Sequence, residues 1–95
     1  MKKIILNCAT VQTEDDFWHL YCEVIKPQGQ HHFGRNLQAL LDALSAGGPG
    51  WPGECQIELI HVDEFAERNP FLYSGLQRIA KDLSVNAGVQ IFFRR

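Results

Sequence analysis

His32-Phe33-Gly34-Arg35-Asn36-Leu37-Gln38-Ala39-Leu40-Leu41-Asp42-Ala43-Leu44-Ser45 is the stretch on which the reading of this chain turns. Asn36 is an N-cap type residue, because its side-chain oxygen can accept from a free amide of the first helical turn. Behind it Leu37, Leu40, Leu41 and Leu44 recur at the helical period and predict an amphipathic helix. At about 100° per residue, Leu37, Leu40 and Leu44 centre one face and Ala39, Ala43 and Ala46 occupy another. Gln38, Asp42 and Ser45 form a third face, with Leu41 at its border. A face built for solubility alone ordinarily carries more charge. This one shows a single carboxylate among short polar and apolar groups, the composition of a contact surface.

Working outward, residues 2–8 form a β-type run in which Ile4, Ile5 and Leu6 are continuous enough for a strand covered on both faces. Thr13 followed by Glu14, Asp15 and Asp16 reads as a helix start, a hydroxyl cap with acids where the helix dipole favours them. Phe17, Leu20, Tyr21 and Val24 then mark one apolar stripe, closed by Pro27 and Gly29. On the other side of the central helix, residues 47–53 hold four glycines and two prolines around Trp51 and must be a loop. Cys55, Ile57 and Leu59 alternate with Gln56 and Glu58 as a strand that Ile60 and Val62 prolong. A short polar helix over about residues 63–67 is broken by Asn69-Pro70. Leu72, Leu76, Ile79, Ala80 and Leu83 predict the last long helix, a turn follows at 86–88, and Val89, Ile91, Phe92 and Phe93 form a final strand. Helical crossovers between consecutive strands require parallel pairing. The expected architecture is therefore α/β: a small three-stranded parallel sheet packed against about four helices, in a single domain covering residues 1–95.

Composition narrows the function. The 95 residues are 45% hydrophobic and 21% charged, with a formal net charge of −2. A chain of this length buries about 60–65% of its unfolded surface, enough for one modest core. Disorder is excluded by the hydrophobic content, and indiscriminate nucleic-acid binding by the lack of clustered Lys and Arg. Lys2 and Lys3 precede just three apolar residues, short of the run of about 7–15 in a signal peptide. No segment approaches the roughly 18 apolar residues of a membrane span. Three widely spaced cysteines, Cys8, Cys22 and Cys55, fit a reducing compartment. The expectation is a soluble cytoplasmic protein that binds neither nucleic acid nor membrane.

Candidate chemistry is sparse. The four histidines and three cysteines lack metal-ligand spacing, and the adjacent His31 and His32 diverge. A Cys55–His61 nucleophile pair has no local orienting group or oxyanion site, so Cys55 is read as core. The glycines of 47–53 lead into a strand rather than a helix and form no phosphate cradle. Neither an enzyme nor a cofactor is expected.

The central stretch resembles the aromatic-aromatic-Gly-x-Asn-Leu-Asp-Ala-Leu-Trp-Asp-x-Leu signature of the barstar family, intracellular inhibitors of barnase-type ribonucleases. The order of strands, helices and the Trp-containing loop agrees along essentially the whole chain. This resemblance implies a non-enzymatic immunity protein or antitoxin, monomeric when free, that plugs the active site of a ribonuclease or related toxin. It places Asp42 where substrate phosphate would bind, and Gln38, Leu41 and Ser45 around it. His32, Phe33 and Gly34 belong to the binding loop and Asn36 starts its helix. A late-helix acid that contacts the enzyme in the family corresponds to Asp82, or to Lys81 after a one-residue shift. The motif differs at Gln38 for Asp, Leu41 for Trp and His32 for an aromatic, and it carries Arg35 beside the loop. Those differences point to a target other than barnase, with a less basic or differently arranged active site. His32 stacks on the enzyme or caps local structure, and Trp51 is a rim residue or a lid over the core. A competing reading is a regulatory module that self-associates through Leu41 and Phe33.

Overall fold

In a computed structural model the fold is described for residues 2–83 and 88–95. Three strands, β1 (Lys2–Asn7), β2 (Cys55–Ile60) and β3 (Val89–Phe93), alternate with four helices, α1 (Glu14–Ile25), α2 (Leu37–Ala46), α3 (Val62–Arg68) and α4 (Pro70–Asp82). The strands are parallel in the order β1-β2-β3, with Ile4, Ile57 and Ile91 in register. The three-stranded parallel sheet with four helices agrees with the expected α/β architecture. Of the turn expected at 86–88, residues 86 and 87 lie outside the described residues.

β1 corrects one expectation. Ile4 and Leu6 are buried, but Ile5 between them is 50% exposed, so the strand is covered on one face and not on both. The helices cover a single side of the sheet. The other side can meet water although the sheet is parallel, because its middle row is polar. Glu58 lies 3.4 Å from Lys3 and 3.2 Å from Arg94, and Gln56 lies 3.5 Å from Gln90. Parallel sheets are ordinarily sandwiched. Here the alternation along β2, with Cys55, Ile57 and Leu59 inward, already separates the two faces.

α1 begins with a reciprocal cap. The Thr13 hydroxyl accepts from the Asp16 amide at 3.2 Å, and the Asp16 carboxylate accepts from the amides of Thr13 and Gln12 at 3.2 and 3.1 Å. Three backbone donors are satisfied, two of them by the reciprocal pair. Thr13→Ala is expected to cost about 1 kcal/mol, visible as a fall in Tm of about 4–8 °C. The buried stripe of α1 is Phe17, Trp18, Tyr21 and Cys22, rotated from the expected one, and Val24 is 46% exposed.

The rotation has a cause in the core. Phe17 stacks on Phe65 with centroids 5.6 Å apart, Trp18 meets Phe33 edge-on at 5.8 Å, and Phe65 continues to Tyr73 and Phe93. A chain of aromatic contacts thus runs from the segment before α2 to β3. Asn69 ends α3, and Pro70 starts α4 at the first helical position, where its missing N–H costs nothing.

Burial also sets the alkaline limit of the fold. Cys8 is enclosed, and burial pushes its thiol up to about 12; burial, then the nearby Cys55 and Cys22, raise the Tyr21 phenol too. Both groups hold their protons more tightly in the folded than in the unfolded chain. Their stabilisation is complete below the unfolded values and is lost as pH rises toward the folded ones. Urea denaturation is expected to show stability falling above about pH 9, by roughly 1.4 kcal/mol per pH unit for each titrating group.

Candidate functional site

The segment before α2 is pinned at both ends. Gly29 opens a 3₁₀ turn, Gln30–His32, in which the His32 amide donates to the Gly29 carbonyl at 2.8 Å. Phe33 then turns inward. Its ring lies 5.5 Å from Tyr21 and 5.8 Å from Trp18 and is 6% exposed. At the other end the Asn36 side chain accepts from the Ala39 amide at 2.8 Å and donates to the Gly34 carbonyl at 3.1 Å. Gly34 permits that approach, since a Cβ there would stand 3.0 Å from the Cβ of Ala39. The loop is therefore rigid by construction: an aromatic anchor in the core, then a cap on the helix.

A second loop braces the first. The Gln28 amide donates to the Trp51 carbonyl at 3.1 Å, the Gly50 amide donates back to the Gln28 carbonyl at 2.8 Å, and the Tyr21 hydroxyl donates to the Gly50 carbonyl at 2.8 Å. Gly50 lies against the Phe33 ring with φ +99, and a Cβ there would sit 2.5 Å from that ring. Trp51 is half-buried and packs on the core.

α2 presents the expected two sides. Leu40, Ala43 and Leu44 are buried, whereas Gln38, Asp42 and Ser45 are exposed and Leu41 is half-buried. The Ser45 hydroxyl donates to the Leu41 carbonyl at 2.6 Å, which leaves its lone pairs outward. Among the described residues Asp42 enters no ion pair. His32, in the 3₁₀ turn two residues before Gly34, is exposed too. Phe33 is the exception among the residues expected at the contact: its ring supports the loop from within, because Trp18 and Tyr21 provide an apolar slot that water cannot match.

α4 packs beside the start of α2 at Gly75, where a Cβ would stand 2.3 Å from Leu37 Cδ1. Asp82 lies seven residues on, within about 20° of the Gly75 direction at the helical period, whereas Lys81 is about 120° away. Both are exposed at the end of α4. Thus Asp82 shares the α2-facing side of that helix and Lys81 does not.

A family model, Barstar (barnase inhibitor), matches residues 1–93. The chain belongs to the barstar family. No curated relative matches it. Within this barstar-family chain, Cys55 opens β2 and His61 follows its far end, so the two do not meet as a nucleophile and base. Cys55 is buried, and burial, partly offset by Lys2, raises its thiol. Among the described residues no group of three or more His, Cys, Asp or Glu side chains could hold a metal, and no helix is long and apolar enough to cross a membrane.

Periodicity marked Tyr21 as a core residue of α1 but not as a support of the site, and it did not mark the other two supports, Trp18 and Gly50. All three lie outside the motif and are recognisable through what Phe33 touches.

Proposed function

We propose that this barstar-family chain is a non-enzymatic inhibitor that blocks the active site of a ribonuclease or related toxin, with the Asp42 carboxylate occupying the place of substrate phosphate. The observation that carries the proposal is an exposed carboxylate, in no ion pair among the described residues, on a helix capped by Asn36 and anchored through Phe33. A ribonuclease must gather cationic donors around the scissile phosphate. A carboxylate held on a rigid helix can accept those hydrogen bonds, and charge-assisted bonds of this kind are the strong ones. It offers no phosphodiester to cleave, so the enzyme is occupied without turnover. Rigidity matters, because ordering a mobile loop on binding would subtract from affinity.

Gln38, Leu41 and Ser45 surround the carboxylate and exclude water from the pair, His32 and Gly34 complete the rim, and Asp82 adds a second acid from α4. Acting on an enzyme made in the same cell, the inhibitor belongs in the cytoplasm and works as an immunity protein. Self-association through Leu41 and Phe33 would have to draw on a half-buried leucine and a ring that is 6% exposed. That is little apolar surface for a dimer, so we take the free chain to be a monomer.

The test is inhibition of RNA cleavage by a panel of guanyl-preferring bacterial ribonucleases and by any toxin encoded beside this gene. Stoichiometric inhibition of at least one is expected. Failure against all of them, together with sedimentation of a dimer that covers the Asp42 face, would overturn the proposal.

A further inference from the structure

Beside the motif loop lies a surface groove of about 820 Å³, between the second half of α1 and the segment 26–35. Its walls carry His19, Lys26, His31 and Arg35, and the nearly buried Cys22 and Phe33 form its floor. Glu23 is the one carboxylate lining it, and His19 stands 3.5 Å from that group. Lys26 and Arg35 enter no ion pair among the described residues. In a chain whose net charge is −2, the groove is locally positive.

The backbone under these two cations is unusual. Lys26 and Arg35 have φ of 50 and 53 and are two of the three non-glycine residues with positive φ among those described. Glycine occupies such positions at lower cost. Lys26 has a local justification, since it caps the C-terminus of α1, where a cation meets the negative end of the helix dipole. Arg35 has none. It immediately precedes the N-cap of α2, at the positive end of that helix, where a cation is disfavoured. A residue that is unfavourable both in backbone conformation and in the helix field needs a reason outside the local structure.

We propose that this groove receives an acidic peptide segment of the same protein that α2 engages, with the Arg35 guanidinium holding one of its carboxylates. The inference rests on the reading of Asp42 given above and adds the electrostatic pattern of the target: a cationic site flanked by a carboxylate-bearing loop. Arg presents a planar fork that matches a carboxylate, and the apolar floor suits the stem of a Glu side chain. RNA carries its charge on a ribose-phosphate backbone with no apolar stem to lie on that floor, whereas a Glu-containing peptide delivers each carboxylate on one. The groove also supplies selectivity. A uniformly basic enzyme would meet repulsion from Lys26 and Arg35, and specificity commonly depends on such a penalty.

The experiment is an NMR titration of the ¹⁵N-labelled chain with a blocked hexaglutamate peptide, with inorganic phosphate and with a hexauridine RNA. Hexaglutamate should shift the amides of His19 and residues 26–35 saturably and leave those of 38–45 in place. Arg35→Gly should weaken that binding about fivefold or more, the loss of a charged hydrogen bond, without lowering the thermal midpoint, because glycine accepts this φ. Against a ribonuclease that the chain inhibits, the same variant should raise the inhibition constant about tenfold. Absence of saturable shifts would overturn the proposal, and so would equal or tighter binding of phosphate or RNA, or an Arg35→Gly variant that binds and inhibits as the native chain does. Asp42→Ala should bind hexaglutamate undiminished, so a failure of the groove and a failure of the Asp42 anchor remain distinguishable.

Discussion

Asp42→Ala is expected to weaken binding to the target ribonuclease by about 3–5 kcal/mol, the cost of leaving buried cationic donors without their carboxylate. An inhibition constant should therefore rise about a thousandfold. Most of the change should fall on dissociation, since the short-range desolvated pair holds the complex together once formed. The fold should hardly respond: Asp42 is exposed and enters no ion pair among the described residues, so stability should move by no more than about 0.5 kcal/mol. Asp42→Asn keeps the shape and removes the charge, and on this account it should lose nearly as much. Inhibition assays on purified variants, alongside urea denaturation, decide it. If a genuine partner binds Asp42→Ala as tightly as the native chain, the anchor lies elsewhere.

Gly50→Ala should be strongly destabilising. The added carbon would stand 2.5 Å from Phe33 Cδ1, at a residue whose φ is +99. The ring has little room to step aside, because Trp18 and Tyr21 also lie against it, at centroid distances of 5.8 and 5.5 Å. Overpacking and the left-handed penalty together amount to about 3 kcal/mol, or a fall in Tm of about 15 °C for a domain of this size. Gly53→Ala provides the comparison. It has φ +85 but meets nothing within 4 Å, so it should show the backbone penalty alone, about 1–2 kcal/mol. Equal losses in the two variants would mean that Phe33 is not the anchor of the motif loop. The folded fraction of Gly50→Ala should also inhibit less well, because the loop that carries His32 and Gly34 would be displaced with the ring.

Local signals were legible where one residue type has one job. Thr13 before three acids announced a capped helix, and the structure forms that cap with both reciprocal bonds. Asn36 announced the start of α2 in the same way. The α1 stripe was different. Phe17, Trp18, Leu20, Tyr21, Cys22, Val24 and Ile25 are too many apolar residues for a single narrow face, so more than one face satisfies the helical period. Contact with Phe65 and Phe33 chooses between them and leaves Val24 outside. The exposure of Ile5 escapes the sequence pattern for a related reason. Three consecutive apolar residues do not say how many layers cover a strand, and the helices here cover one.

The candidate site divides along the same line. Which side of α2 faces outward followed from spacing, because the pattern Leu37, Leu40, Leu44 leaves Gln38, Asp42 and Ser45 no other place. The inward turn of Phe33 did not follow from spacing, since an aromatic beside a glycine suits a contact surface as well as a core. The placement of Asp82 and Lys81 relative to α2 needed the partner of Gly75, which is a contact between helices distant in sequence. The cationic groove required both loops and α1 to be assembled.

By itself, then, the amino-acid order determined the elements, their parallel arrangement and the outward stripe of α2, because caps, periodicity and crossover length act over a few residues. Tertiary structure alone decided which aromatic rings hold the motif loop, that β1 is covered on one face, and that Lys26 and Arg35 share one groove. Those depend on which surfaces exclude water together, and that competition is resolved only when all the elements are packed.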